Sequence, residues 1–280
     1  MWNDSLSIGV EKIDEQHKML FSKVNRLVDD IVDKGEYQKE RIISTILFLK
    51  EYALTHFADE EAYQKSINDV NYLKHKKMHE SFIATVLKHE AKMVASDFAH
   101  NDVSKFTGTL FAWLIYHVSG VDQKIGKNAE DIAADESHTD IICDCFCNVI
   151  SNMINISKES VIKLKEHNET FENAITVKHS FTHAIKGSVF FKFSIPFINE
   201  LISLITEIPP EENEINDFEK TFLLQISTMT VENVYRRLFV DEYELNEAEI
   251  FITENDETPL NERISFDTGI GIVEAGFALT

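Results

Sequence analysis

The sequence predicts an all-α, up-and-down four-helix bundle followed by a mixed α/β (α+β) domain. Apolar residues recur at three-and-four spacing through four successive segments, near 14–33, 39–65, 70–95 and 101–123. The connections DKGEY, KSIND and ASDFAHND are short and polar, which favours antiparallel neighbours. Proline is absent from residues 1–195, so nothing breaks these helices, and all four prolines lie beyond.

The elements follow in order. Residues 1–127 hold the four helices. The stretch KIGKNAEDIAADES, 124–137, is small and polar with no apolar face, and residues 128–137 read as a linker. From 138 to 280 the character changes. ICDCFCNVISNMINI is helical, GSVFFKFSI is a strand leading into a helix, and ELNEAEIFITE and RISFDTGIGIVEAGFAL alternate as strands do. A chain of 280 residues is long enough for two domains with a core each.

Charge divides at the same place. Residues 1–127 carry 17 Lys+Arg against 19 Asp+Glu, whereas 128–280 carry 10 against 29. An excess of 19 negative charges in the second half excludes nucleic acid and anionic membranes as its partners. The N-terminus MWNDSLSIGVEK lacks a basic start followed by an apolar run, and the most apolar stretch is interrupted by Lys192, Pro196, Asn199 and Glu200. A cytoplasmic protein without a membrane span is expected. Cys143, Cys145 and Cys147 suit neither a disulfide framework nor a zinc knuckle and are expected to be reduced helix residues.

The bundle carries a constellation of donors. LKHKKMHESF places His75 and His79 four apart, about 40° around a helix and one turn along it, so both can reach one metal. HFADEE pairs His56 with Glu60 in the same way. GVEKIDEQH puts His17 a turn after Ile13, and WLIYHVSGVD contributes His117 and Asp122. Ionisable groups on inward stripes are costly unless paired or metal-bound. Five imidazoles and two carboxylates are too many for one zinc and too rich in nitrogen for magnesium or calcium. Two octahedral irons need about twelve bonds: about five come from imidazoles, four from two bridging carboxylates and two from a bridging oxide or hydroxide, leaving one position for a small diatomic ligand. Asp122 stands five residues after His117, about 140° off its face in an ideal helix, so a π-type widening or unwinding is expected around Val118 to Val121, where Gly120 eases distortion.

With H at 17, HxxxE at 56 and 60, HxxxH at 75 and 79, and HxxxxD at 117 and 122, residues 1–127 resemble a bacterial hemerythrin domain. The resemblance implies a non-haem di-iron centre with an oxo or hydroxo bridge. His75, His79 and His117 would serve one iron, His17 and His56 the other, and Glu60 and Asp122 would bridge. O2 would bind end-on to the under-coordinated iron. Gln64 stands where the family usually has methionine, and the usual proline before the HxxxH helix is absent. Phe57, Trp113 and Leu114 flank ligands and are candidates for an apolar O2 pocket, or are simply core. Ferritin-like oxidases use mostly carboxylates, and this histidine-rich set is the reverse, which favours reversible binding over turnover.

Residues from 138 onward resemble the CheX-like branch of chemotaxis phosphatases in the order of DIICDCFCNVISNMI, GSVFFKFS, FLLQISTMTVENVYRRL and FDTGIGIVEAGF. That implies a response regulator or other chemotaxis partner, and a possible homodimer through this domain. Active members use Glu-x-x-Asn one turn apart; the corresponding positions here are Gln225 and Thr228, and no glutamate stands three residues before an asparagine anywhere in the chain. Little or no phosphatase activity is expected. The function expected is oxygen or redox sensing by a di-iron site coupled to a signalling domain, and not an enzyme. An O2 store or carrier, or a di-iron oxidase or peroxidase, is the alternative.

Overall fold

The computed structural model describes residues 2, 4–33, 37–126, 138–154, 162–164, 174–182, 186–208, 215–238, 249–253 and 262–279. They belong to two compact units, Met1–Glu130 and Asp131–Thr280. The expected linker 128–137 lies outside the described residues.

The first unit is an antiparallel bundle of α1 (Glu11–Val28), α2 (Lys39–Ser66), α3 (Tyr72–Ala95) and α4 (His100–Tyr116). Each helix packs on two others, α1 on α2 and α4, and α3 on α2 and α4. The inward stripe of α1 is Ile13, His17, Leu20, Phe21, Val24, Leu27 and Val28, all buried, and the 3.6-residue period accounts for that grouping. Asp14 fixes the start of α1: its carboxylate accepts from Ser7 Oγ at 2.6 Å and from the Ile8 and Gly9 N–H groups at 2.8 and 3.1 Å. The turn from α2 to α3 is organised by Asp69, which accepts from the Asn71 N–H at 2.9 Å and from the Gln64 amide at 3.1 Å. Both α1 and α4 run on into π-helical turns, Asp29–Asp33 and His117–Val121, and a 3-10 turn Asp122–Lys124 closes the unit.

The second unit contains a six-stranded antiparallel sheet in the order β1-β5-β6-β3-β2-β4. Its strands are β1 (Ile162–Leu164), β2 (Ala174–Thr182), β3 (Lys186–Phe193), β4 (Glu249–Thr253), β5 (Glu262–Asp267) and β6 (Ile272–Leu279). Among the described residues three helices accompany it: α5 (His138–Ile154), α6 (Ile195–Thr206) and α7 (Asp217–Leu238). Ser194 caps α6 by accepting from the Phe197 N–H, with Pro196 in the first turn. Asn216 and Glu219 form a reciprocal capping box on α7, at 3.0 and 2.8 Å. The core centres on Phe146, Phe191, Phe193, Phe197 and Phe266, each fully buried. At Gly271, φ is +146° and a Cβ would lie 2.8 Å from the Phe197 backbone, so the β5–β6 turn admits only glycine there. The three cysteines lie buried and unbridged on α5, with Cys143 Sγ 3.7 Å from Cys147 Sγ. Gln225 and Thr228 lie half-buried on α7, and the Thr228 hydroxyl donates to the Leu224 carbonyl of its own helix at 2.7 Å.

Among the described residues no helix is long and apolar enough to cross a membrane.

Candidate metal centre

All seven sequence-predicted donors converge inside the bundle, each at most 2% exposed. The periodicities of α1, α2 and α3 place His17, His56 with Glu60, and His75 with His79 on the buried stripes. Asp122 reaches the same cavity because the chain widens between it and His117: the Asp122 N–H bonds the His117 carbonyl, five residues back, in the π turn the spacing called for. Ser119 supports that turn by donating to the Ile115 carbonyl at 2.6 Å.

Among the described residues two donor groups have ligand atoms within 4.8 Å of one another, Glu60 with His75, His79 and His117, and Glu60 with His17 and His56. Glu60 belongs to both. Its Oε2 lies 3.1 Å from His79 Nε2, 3.5 Å from His75 Nε2 and 3.8 Å from His56 Nε2. Asp122 divides its oxygens: Oδ1 is 3.1 Å from His117 Nε2 and 3.2 Å from His75 Nε2, while Oδ2 is 3.3 Å from His17 Nε2.

These contacts do not satisfy the groups that make them. Both oxygens of Glu60 and of Asp122, both ring nitrogens of His17 and Nδ1 of His117 are buried without a hydrogen-bond partner among the described residues. Unpaired buried polar atoms cost about 1–3 kcal/mol each, more when charged, so the four carboxylate oxygens and His17 Nε2, gathered at the donor cluster, point to a cation as their partner. Spacing agrees. His117 Nε2 is 3.1 Å from both His75 Nε2 and His79 Nε2. Neighbouring corners of an octahedron with bonds of about 2.1 Å lie about 3.0 Å apart, whereas tetrahedral corners lie about 3.4 Å apart. Nε2 atoms at that spacing can occupy adjacent corners around one ion.

Electrostatics point the same way. Burial and Asp122 push the Glu60 carboxyl up, but the imidazoles of His75 and His79 prevail and hold it at about 2. Burial likewise opposes ionisation of Asp122, yet His17 and His75 hold its carboxyl well below the usual range. Burial lowers His75, but Asp122 and Glu60 outweigh it and raise the ring to about 10. Burial keeps His56 down at about 4 and His117 well below its ordinary value, both neutral and ready to offer a lone pair.

A further layer orients the imidazoles, and the sequence reading did not identify it. His56 Nδ1 lies 2.9 Å from Gln16 Oε1, Gln16 Nε2 donates to Asp59 at 2.9 Å, and Lys12 pairs with Asp59 at 2.8 Å. Accepting from Nδ1–H leaves Nε2 bare for a metal. His79 Nδ1 faces Glu61 at 3.4 Å, and His75 Nδ1 faces Gln64 at 2.9 Å. Tyr52 stacks on His56 at 4.5 Å between centroids. A polar residue one turn from a ligand on the same helix was the available signal for Tyr52 and Gln64. Of the expected pocket residues, Phe57 stacks on His79 at 3.8 Å, Trp113 stacks on His117 at 4.2 Å, and Leu114 is fully buried.

Four antiparallel helices that enclose two imidazole-rich donor sets joined by a shared carboxylate define a histidine-rich metal-binding bundle. The hemerythrin HHE cation-binding domain model matches residues 8–128. The bacteriohemerythrin of Clostridium acetobutylicum is 30% identical over 125 residues, 44% of this chain and 96% of that protein. The bacteriohemerythrin of Pseudomonas aeruginosa PAO1 is 31% identical over 122 residues, 44% of this chain and 76% of that protein. The chain belongs to the hemerythrin family through this domain. Chemotaxis protein CheX from Vibrio vulnificus is a structural neighbour covering 53% of this chain and 100% of its own, at 12% identity and a TM-score of 0.44.

Proposed function

We propose that the first unit holds two non-haem irons and binds O2 reversibly. The observation that supports this best is the sharing of Glu60 by both donor groups, with Asp122 offering one oxygen to each side. In this reading His75, His79 and His117 would hold one iron and His17 and His56 the other, with Glu60 and Asp122 shared between them. The iron pair, when bound, supplies the electrons for reversible O2 binding, and the two-histidine side is where a protein donor is lacking.

The chain's own residues set the conditions. Gln16 and Glu61 accept at Nδ1 of His56 and His79 and direct the opposite nitrogens inward. Phe57 and Trp113 cover the imidazoles with hydrocarbon and exclude water, and Leu114, next to Trp113 in the chain, is buried. The acidic residues nearest the pair, Glu60 and Asp122, are bridges held ionised, so neither serves as a proton donor for cleaving a peroxide. Binding is therefore favoured over oxidase or peroxidase turnover.

For the second unit we infer a CheX-like module that receives the state of the iron site and engages a chemotaxis-type response regulator without dephosphorylating it. Gln225 carries no charge, and the Thr228 hydroxyl is occupied by Leu224, so this pair cannot align a water as an acid and an amide would.

Measuring iron per chain and the visible spectrum without air, in air and after O2 removal tests the first reading. Two irons with a charge-transfer band that comes and goes with O2 are expected. One zinc per chain, or an irreversible spectral change, would overturn it. Accelerated loss of phosphate from a charged response regulator would overturn the reading of the second unit.

A further inference from the structure

The two donor sets have unlike surroundings. Beside the three-imidazole set the neighbours are rings: Phe57 lies 3.8 Å from His79, and Trp113 lies 4.2 Å from His117 and 3.8 Å from Phe82. Beside the two-imidazole set stand donors without a hydrogen-bond partner among the described residues. Tyr52, one turn before His56 on α2, lays its ring on that imidazole at 4.5 Å and 26°. The residue is 4% exposed and its hydroxyl has no hydrogen-bond partner among the described residues. Trp2, its ring 6.2 Å from His17, has a buried indole N–H in the same condition.

A buried hydroxyl left unpaired costs about 1–3 kcal/mol, and tyrosine hydroxyls usually find a partner when buried. Phenylalanine would stack on His56 equally well without that cost, so the ring alone does not account for a tyrosine here. A phenol keeps its proton at neutral pH, so the group is a donor, and its ring lies against an imidazole of the donor set.

We propose that the Tyr52 hydroxyl donates a hydrogen bond to the small ligand that enters on the His17 and His56 side, selecting di- and triatomic molecules whose outer atom is anionic or gains negative charge on binding. The inference rests on the di-iron reading above and deepens it. It makes Tyr52 a specificity-determining residue for that pocket and separates the donor-lined half from the hydrocarbon-lined half at His79 and His117.

The test compares the full chain with Tyr52→Phe, using azide as the probe. Iron per chain is measured first. Failure of the parent to load two irons overturns the di-iron reading, and this inference with it; two irons in both proteins leave azide binding to decide on Tyr52 alone. The azide Kd of the oxidised, loaded variant is expected to rise about 10- to 150-fold, the loss of one hydrogen bond to a charged acceptor. The metal-free variant is expected to melt no lower than the metal-free parent, because the substitution removes an unpaired hydroxyl and nothing else. An unchanged azide Kd would overturn the proposal. So would a metal-free variant that melts several degrees lower, which would mean the hydroxyl has a structural partner. A tyrosinate-to-iron band in the parent that Tyr52→Phe abolishes would also overturn it, in favour of direct ligation.

Discussion

The side-chain amide nitrogen of Gln64 lies 2.9 Å from Nδ1 of His75 and 3.1 Å from Asp69 Oδ2, stringing the amide between the α2–α3 turn and an imidazole of the donor set. An N–H donated into Nδ1 leaves the ring proton of a neutral imidazole on Nε2, where a metal needs a lone pair. The other end of the amide, Oε1, is buried without a partner among the described residues. A metal on Nε2 needs the ring proton on Nδ1 and an acceptor facing it, which Gln64 offers only through Oε1 and at the expense of its bond to Asp69.

It follows that Gln64→Met, which cannot accept from Nδ1–H, weakens the hold on the ion at His75. Loss of an outer partner of a ligating histidine typically costs about 10- to 100-fold in metal affinity. Iron should leave the variant about that much faster in the presence of a chelator, followed by loss of visible absorbance. Equal rates for parent and variant would remove Gln64 from the site's design.

Metal removal should also be felt as stability. Two ionised carboxylates, Glu60 and Asp122, lie fully buried with all four oxygens lacking a hydrogen-bond partner among the described residues, and a bound cation relieves them only in the folded state. At a free-metal concentration about 100 times Kd the stabilisation is about 2.7 kcal/mol, which moves the melting of a domain this size by about 10 °C. Calorimetry of the loaded and chelated chain should show one transition shifted by that amount. A chelated chain with the loaded chain's melting profile would contradict the cavity's dependence on a cation.

The donors were legible in the sequence because helical periodicity converts spacing into direction: HxxxE and HxxxH each put two side chains on one face. The π turn was legible from its violation of that rule, since HxxxxD does not fit an ideal helix. The outer contacts were not. Gln16 and His56 are 40 residues apart, and their meeting depends on the register of α1 against α2, which no local pattern encodes. In the second unit the signatures of α5, β3, α6, α7 and the closing strands could be read from their segments. The strand β2 could not: Ala174, Ile175, Thr176 and Val177 are buried in succession, and a strand covered on both faces shows no alternation.

The second unit has its own acid limit. His179 on β2 is buried against Ser227 of α7 at 2.9 Å, and burial lowers its pKa from 6.5 to about 4. Between those values the unfolded chain takes up a proton that the folded chain refuses, so folding stability is fully present above about pH 6.5 and is lost as pH falls toward 4. The full effect is about 3 kcal/mol. Urea unfolding of the second unit at pH 7.5 and 4.5 should show a smaller pH-dependent loss in His179→Gln than in the parent, by about that amount. Parallel pH dependences in the two proteins would rule out His179 as its source.

The π turn at the end of α4 makes a prediction about length. His117 and Asp122 share a face because the widened turn spends one extra residue between them, with the Asp122 N–H on the His117 carbonyl. Deleting Ser119 leaves four residues from imidazole to carboxylate, about 400° of ordinary α-helix, which again puts the two within about 40° of each other. Inserting an alanine after Ser119 makes the separation six residues, about 600°, and turns the carboxylate to the far side. The deletion is therefore expected to keep most of the parent's iron, despite losing the Ser119 bond to Ile115, whereas the insertion should lose it. Iron content determined on both purified chains checks this. Equal losses from deletion and insertion would show that the π turn holds Asp122 by something other than its angular bookkeeping, and would shift attention to the 3-10 turn Asp122–Lys124 that follows.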